Sequence, residues 1–238
     1  MASTRVDIQD QPTIASTEYS EVKSLVEHSY DNVAQDYLAW SAPRPTTTRA
    51  SYIDNLVRIL PSEASVLELG CGAGVPSTQT LISHGLQVTG VDISASQIAL
   101  AREHIPQARL IHSDMMSLSF PPNSFNAIVG FYSIFHLPKE EQGIMISRAT
   151  RWLKPGGWLL CNFHTAEGDI VRENWFKPGV SIFSSGLGVE GNRDMLRKDG
   201  KGLKIVKDEI AVEKVGKFEE KFHWVLAVKE KEETELVV

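Results

Sequence analysis

Residues 66–77 read VLELGCGAGVPS, and the rest of the chain is arranged around them. Val66, Leu67 and Leu69 form a short apolar run that leads straight into a turn with Gly70, Gly72 and Gly74 on alternate positions. From Pro76 the pattern opens a helix. Glycine meets two physical needs in such a turn. It tolerates positive φ, and without a Cβ it lets a ligand approach the backbone. A buried strand, a glycine turn and a helix start make a nucleotide-cofactor site at the carboxyl end of a parallel strand.

The spacing discriminates between cofactors. The dinucleotide fingerprint is G-x-G-x-x-G, with a pyrophosphate on the helix start. Here it is G-x-G-x-G, and Val75 stands in the third glycine's place. The turn holds no Lys or Arg, and Glu68 stands just before it, an arrangement that suits a cationic ligand better than a diphosphate. Residues 87–91, QVTGV, read as the next strand and end in Asp92, eighteen residues beyond Gly74. An acidic side chain at that tip can accept bonds from both ribose hydroxyls. It can equally N-cap a helix over 95–104.

Working outward, strands are expected at 109–111, 126–130 and 158–163, and helices at 75–84 and about 139–153. Strands alternating with helices imply a parallel sheet. Residues 203–212 and 222–229 also read as strands, joined through Gly216 by a connection too short for a helical crossover, so they should form an antiparallel hairpin at the sheet edge. The fold expected is α/β: a Rossmann-like, seven-stranded, mostly parallel sheet with an antiparallel C-terminal hairpin and helices on both faces. Ahead of the sheet, apolar residues recur at helical spacing from about Tyr19 (Val22, Val26, Tyr30, Val33, Tyr37) until Ser41–Pro45 breaks them, and a further helix spans about 47–60. These segments, 19–60, form a helical N-terminal unit before a core over 61–230. Residues 1–18 and 231–238 read as disordered ends. Residues 165–202 are an insertion with Trp175, Phe176 and Phe183 among turn residues, which suits an apolar small-molecule pocket as well as a satellite cluster under a long loop.

Composition limits the partners. A formal net charge of −6 over 238 residues argues against a nucleic-acid backbone as partner. No run is long and apolar enough for a membrane span. Cys71 and Cys161 sit in no CxxC or Cys/His pattern, so they read as reduced thiols and no metal site is indicated. A cytoplasmic protein is expected, monomer or homodimer.

From about residue 30 to 229 the chain resembles the class I S-adenosylmethionine-dependent methyltransferases of the small-molecule, type 11 and ubiquinone-biosynthesis-like branch. VLELGCGAG, VTGVDIS, HSDM, YSIFHLPKEEQ and WLKPGG carry the resemblance, in that order. It implies S-adenosyl-L-methionine as cofactor. Glu68, Gly70, Gly72 and Gly74 would contact its methionine part. Asp92 would hold the ribose, with Ile93 and Gln97 beside the adenosine, while Asp114 and Met115 would bind and cover the adenine. Phe131 would lie near the donor. The YDNVAQDY segment resembles a lid helix, which would turn Tyr30 and Tyr37 toward the sulfonium; the same spacing also fits an amphipathic core. Methyl transfer needs a base only if the acceptor loses a proton, and His136 and His164, at two strand tips, are the candidates. Tyr132 could orient the acceptor. The function expected is transfer of a methyl group to O, N, S or C of a small, fairly hydrophobic metabolite. A cyclisation or rearrangement that uses the cofactor as a bound charge, or a non-catalytic cofactor-binding partner, are the alternatives.

Overall fold

A computed structural model describes residues 19–42, 47–215 and 218–231. The expectations for residues 1–18, for the hairpin tip at Gly216 and for residues 232–238 lie outside them. The elements run α1 (Tyr19–Ser41), α2 (Thr47–Ile59), β1 (Ser65–Leu69), α3 (Ser77–Ser83), β2 (Gln87–Asp92), α4 (Ala95–His104), β3 (Arg109–His112), β4 (Phe125–Gly130), α5 (Lys139–Trp152), β5 (Leu153–His164), β6 (Glu167–Arg172), β7 (Ile182–Leu187), α6 (Gly188–Asp199), β8 (Leu203–Val215) and β9 (Phe218–Lys229). Seven strands form one sheet in the order β3-β2-β1-β4-β5-β9-β8. β1 to β5 are mutually parallel, β9 is antiparallel to β5, and β8 closes the edge antiparallel to β9.

The side-chain period of two sorts the core into two layers. Leu67 and Leu69 of β1, Ile128 of β4 and Leu159, Cys161 and Phe163 of β5 face α5 and α6, meeting Met145, Ile146, Met195 and Leu196. Val66, Ala127, Val129 and Leu160 face the other way, onto Tyr52, Ile53 and Leu56 of α2 and Leu81 of α3. Strands covered on both faces need near-continuous apolar sequence, and β1 and β4 have it. Cys71 and Cys161 are buried free thiols.

Two expectations are corrected. The strand expected at 158–163 starts earlier: Leu153 already pairs with Phe125, the register jumps before Ala127 meets Trp158, and the intervening residues bulge, with Gly156 at φ +79. The insertion is more regular than its sequence suggests. β6 and β7 form their own antiparallel pair, and α6 follows. Its strands, EGDIVR and IFSSGL, carry glycine and serine in place of the alternation that marks a strand. At the C-terminus, Lys229 ends β9 and Glu230 donates its N–H to the Gly202 carbonyl at 2.8 Å.

Candidate active site

The glycine turn is tied to its neighbour strand. Gly70 N–H and Cys71 N–H both donate to the Val91 carbonyl, at 2.8 and 2.9 Å. The three glycines differ in purpose. Each has positive φ (+76, +55 and +78). At Gly70 a Cβ would overlap Ser133, and at Gly74 it would overlap Ile105. At Gly72 the nearest atom it would meet is Gln97 Oε1, 3.7 Å away. Gly74 is therefore a packing glycine, and the open approach is at Gly72.

Asp92, at the tip of β2, clasps the turn. Its Oδ2 accepts from Gly72 N–H at 2.8 Å and its Oδ1 from Ser94 N–H at 2.9 Å. Burial pushes its carboxyl up, against those two backbone donors. The N-cap of α4 is Ser94, whose hydroxyl accepts from Gln97 N–H at 3.1 Å, so Asp92 is not the cap. Gln97 is buried, and neither atom of its side-chain amide has a partner among the described residues. A buried amide beside a glycine that leaves the backbone open fits a polar ligand in the turn.

One cleft of about 670 Å³, its open mouth included, gathers most of the residues named from sequence. Gly70, Gly72, Asp92 and Ile93 form its floor; Asp114 and Met115 follow β3; Phe131, Tyr132 and His136 follow β4; Tyr30 and Tyr37 come down from α1. α1 is thus a cover over the carboxyl ends of the strands. Asp31 holds it to the start of α4, with Oδ1 accepting from Ser94 Oγ at 2.6 Å and Ser96 N–H at 2.9 Å.

Besides Gly74 and Gln97, five residues named from sequence lie outside the cleft lining. Glu68 is buried behind the turn and accepts from Thr78 Oγ1 at 2.6 Å, and it does not line the cleft. Burial pushes its carboxyl up to about 7. His164 packs against Phe135, tilted, at 4.2 Å between centroids, outside the cleft lining, with Nε2 buried and unpartnered among the described residues. Trp175 and Phe176 do not line the cleft. They clasp α1 from outside: Trp175 meets Tyr30 at 5.1 Å, and Phe176 meets Trp40 at 5.5 Å. Phe183 is buried with Val22 and Val26, where the β6–β7 hairpin supports α1. These aromatics were expected to form a pocket and instead form the cover's seat, the satellite-cluster alternative.

His136 has a defined tautomer. Its Nδ1 lies 2.5 Å from the Phe183 carbonyl, which can only accept, so Nδ1 carries the proton. Nε2 is then the acceptor, and Tyr30 Oη donates to it at 3.1 Å. Burial pushes the imidazole down to about 4, so it is neutral, with its lone pair on Nε2, across the neutral range. Tyr132 is held in the left-handed region at φ +54, a position bulky residues rarely adopt. Its N–H donates to Asn162 Oδ1 at 2.7 Å and its hydroxyl to Glu213 Oε2 at 2.6 Å, with Trp224 Nε1 on the other carboxylate oxygen at 3.1 Å. The hydroxyl expected to orient an acceptor is therefore committed to Glu213 of β8.

Sequence reasoning missed Lys23, Val26, Ser133 and Leu137, which also line the cleft. Lys23 and Val26 were within reach, because 23, 26, 30 and 37 share one face of a helix. Ser133 carried no signal of its own. Among the described residues no three His, Cys, Asp or Glu side chains converge as a metal site would require.

The chain has the class I methyltransferase fold, and residues 66–157 match the family model for a methyltransferase domain. It is 30% identical over 168 residues to 27-O-demethylrifamycin SV methyltransferase of Amycolatopsis mediterranei, covering 67% of this chain and 54% of that one. It is 35% identical over 124 residues to 2-methyl-6-phytyl-1,4-hydroquinone methyltransferase of Synechocystis, covering 50% of this chain and 38% of that protein. The chain therefore spans about half or less of the length of these curated relatives. Among solved structures it is similar to 1,6-didemethyltoxoflavin-N1-methyltransferase of Burkholderia thailandensis, bound to its substrate and S-adenosylhomocysteine, with a TM-score of 0.67, 19% identity and coverage of 95% of this chain and 98% of that one.

Proposed function

We propose that the chain is an S-adenosylmethionine-dependent methyltransferase acting on a small, fairly hydrophobic acceptor by in-line displacement. The observation that carries this reading is that Asp92, Asp114 and the open approach at Gly72 share one cleft with the unprotonated Nε2 of His136. When bound, the cofactor supplies a methyl group on a sulfonium whose departure leaves a neutral thioether. The chain's residues have the rest to do. Asp92, fixed by two backbone donors, keeps lone pairs for the ribose hydroxyls, and the amide of Gln97 gains partners beside Gly72. Asp114 accepts from the adenine amino group, and Met115 covers the ring. Tyr30, Tyr37, Phe131 and Tyr132 make an aromatic wall that excludes water around the reacting carbon. Positioning of this kind is worth roughly 7–11 kcal/mol in favourable cases.

Where the acceptor is an O–H or N–H, it replaces the Tyr30 hydroxyl as donor to His136 Nε2, and its proton passes there as the methyl bond forms. His164 does not line the cleft. No metal takes part, and the protein works in the cytoplasm. Among the described residues no helix is long and apolar enough to cross a membrane. The test is a panel of lipophilic phenols, hydroquinones and N-heterocycles incubated with methyl-labelled S-adenosylmethionine. Labelled product in equal amount to S-adenosylhomocysteine supports transfer. Product formed with no S-adenosylhomocysteine would replace it with a cyclisation or rearrangement in which the sulfonium is a fixed charge.

A further inference from the structure

Helix α1 reaches the Asp114 end of the cleft through one lysine. Lys23 Nζ lies 2.9 Å from Asp114 Oδ2 and 3.1 Å from Glu141 Oε1 on α5. Lys23 itself lines the cleft, and the three side chains are 19%, 22% and 14% exposed. This tie is made to a carboxylate in the cleft wall. Further ties of α1 go to Ser94, Ser96 and Ser181, to Lys177 through Asp36 and the Asn32 carbonyl, and to His136 through Tyr30.

The local charge is unbalanced. One ammonium serves two carboxylates, and Glu141 Oε2 is buried without a partner among the described residues. Burial pulls the Lys23 ammonium down, but its hydrogen bonds to the two acids outweigh that and leave it raised. Asp114 is fixed from its other side, where Oδ1 accepts from Met116 N–H at 2.8 Å. A carboxylate offers about four lone-pair sites. Asp114 can therefore hold Met116 N–H, Lys23 and a ligand N–H together.

We infer that Lys23 is a positioning residue of the cofactor site: it sets the Asp114 carboxylate for its ligand and, through that same carboxylate, ties α1 across the adenine end of the cleft. This rests on the reading that the cleft takes an adenosyl cofactor. A bound adenine is trapped behind the Lys23–Asp114 pair, and leaving requires the pair to part. The pair is partly exposed, so salt weakens it.

The experiment is calorimetric titration of the full chain with S-adenosylhomocysteine, for the wild type, Lys23→Met, Asp114→Asn and the double variant. Lys23→Met should lose about tenfold in affinity, mainly through faster dissociation, and Lys23→Arg should recover most of the loss. On the Asp114→Asn background the Lys23 change should cost about twofold or less, because the two act as a unit. Equal affinity of Lys23→Met and wild type, or losses that simply add, overturns the inference. A salt titration of the wild type is independent of any folding defect in the variants. S-adenosylhomocysteine carries no net charge at neutral pH, so affinity falling severalfold between about 0.05 M and about 0.5 M salt supports the latch, and a flat profile overturns it. A wild type that binds no S-adenosylhomocysteine sinks the cofactor reading and this inference with it, whereas binding without Lys23 dependence sinks the inference alone.

Discussion

At the scale of single residues, three titratable groups make separable predictions. Asp92 is the anchor common to the turn and the cofactor reading. Asp92→Ala should weaken S-adenosylmethionine binding by about tenfold or more, and calorimetry showing unchanged affinity would remove its ribose role. His136 carries its lone pair on Nε2, and burial holds its imidazole down to about 4, so Nε2 is unprotonated and able to accept at any pH well above that. The turnover of the wild type should be flat from about pH 5 to 8 and fall below, as Nε2 takes up a proton. His136→Ala should lower kcat by about 10²-fold or more and lose that acid limb; a variant as fast as the wild type across the range would discard the base. Glu68 works on stability. Its folded pKa of about 7 exceeds the ordinary carboxylate value of 4.5. The folded chain therefore binds a proton that the unfolded chain has already released, and the stability Glu68 contributes below pH 4.5 is lost as pH rises through 7. Glu68→Gln keeps an acceptor for Thr78 and removes the charge. Relative to the wild type it should gain up to about 3 kcal/mol between pH 4.5 and 8 in denaturant unfolding. A difference that does not change with pH would contradict the buried, protonatable carboxyl.

At the scale of elements, legibility followed periodicity. α4 over Ala95–His104 and the strands β2 and β4 were readable because their apolar spacing has a single solution. α1 was readable as a helix, and its role as a cover came only from the resemblance. The β6–β7 hairpin was hidden, since Gly168, Ser184, Ser185 and Gly186 interrupt the alternation that marks a strand. Missing it also misplaced Trp175, Phe176 and Phe183, whose partners belong to α1 and are remote in sequence. In the site, residues within or next to strand tips were legible, including Gly70, Asp92, Asp114 and His136. The direction of a side chain was not: Glu68 turns to Thr78, and the Tyr132 hydroxyl turns to Glu213, because partners ten and eighty-one positions away decide it. The clasp itself is testable. Trp175→Ala removes ring contacts at 5.1 Å to Tyr30 and 5.9 Å to Tyr37. Amide hydrogen exchange over α1 should rise, with the strands unchanged, by an opening free energy lowered about 1–2 kcal/mol. Unaltered exchange in α1 would show that the clasp contributes nothing.

At the scale of the whole molecule, the sheet order puts β1 and β4 side by side at its centre, with β2 and β5 outside them. Chain reversal between β3 and β4 opens a crevice at their carboxyl ends, the general location of ligands in open α/β sheets. The antiparallel β8–β9 hairpin extends that sheet and supplies Glu213 and Trp224, which hold Tyr132 at the cleft's rim. The N-terminal helix closes over the crevice, and the insertion braces the helix. The molecule is thus a cofactor floor and a cover that meet at Tyr30, His136 and Lys23, and a cofactor bound between them is its central claim. Calorimetric titration with S-adenosylmethionine, S-adenosylhomocysteine and NADH tests that claim most directly. Micromolar binding of both sulfur nucleotides and none of NADH is the result predicted. NADH binding, or failure to bind either sulfur nucleotide, would contradict it.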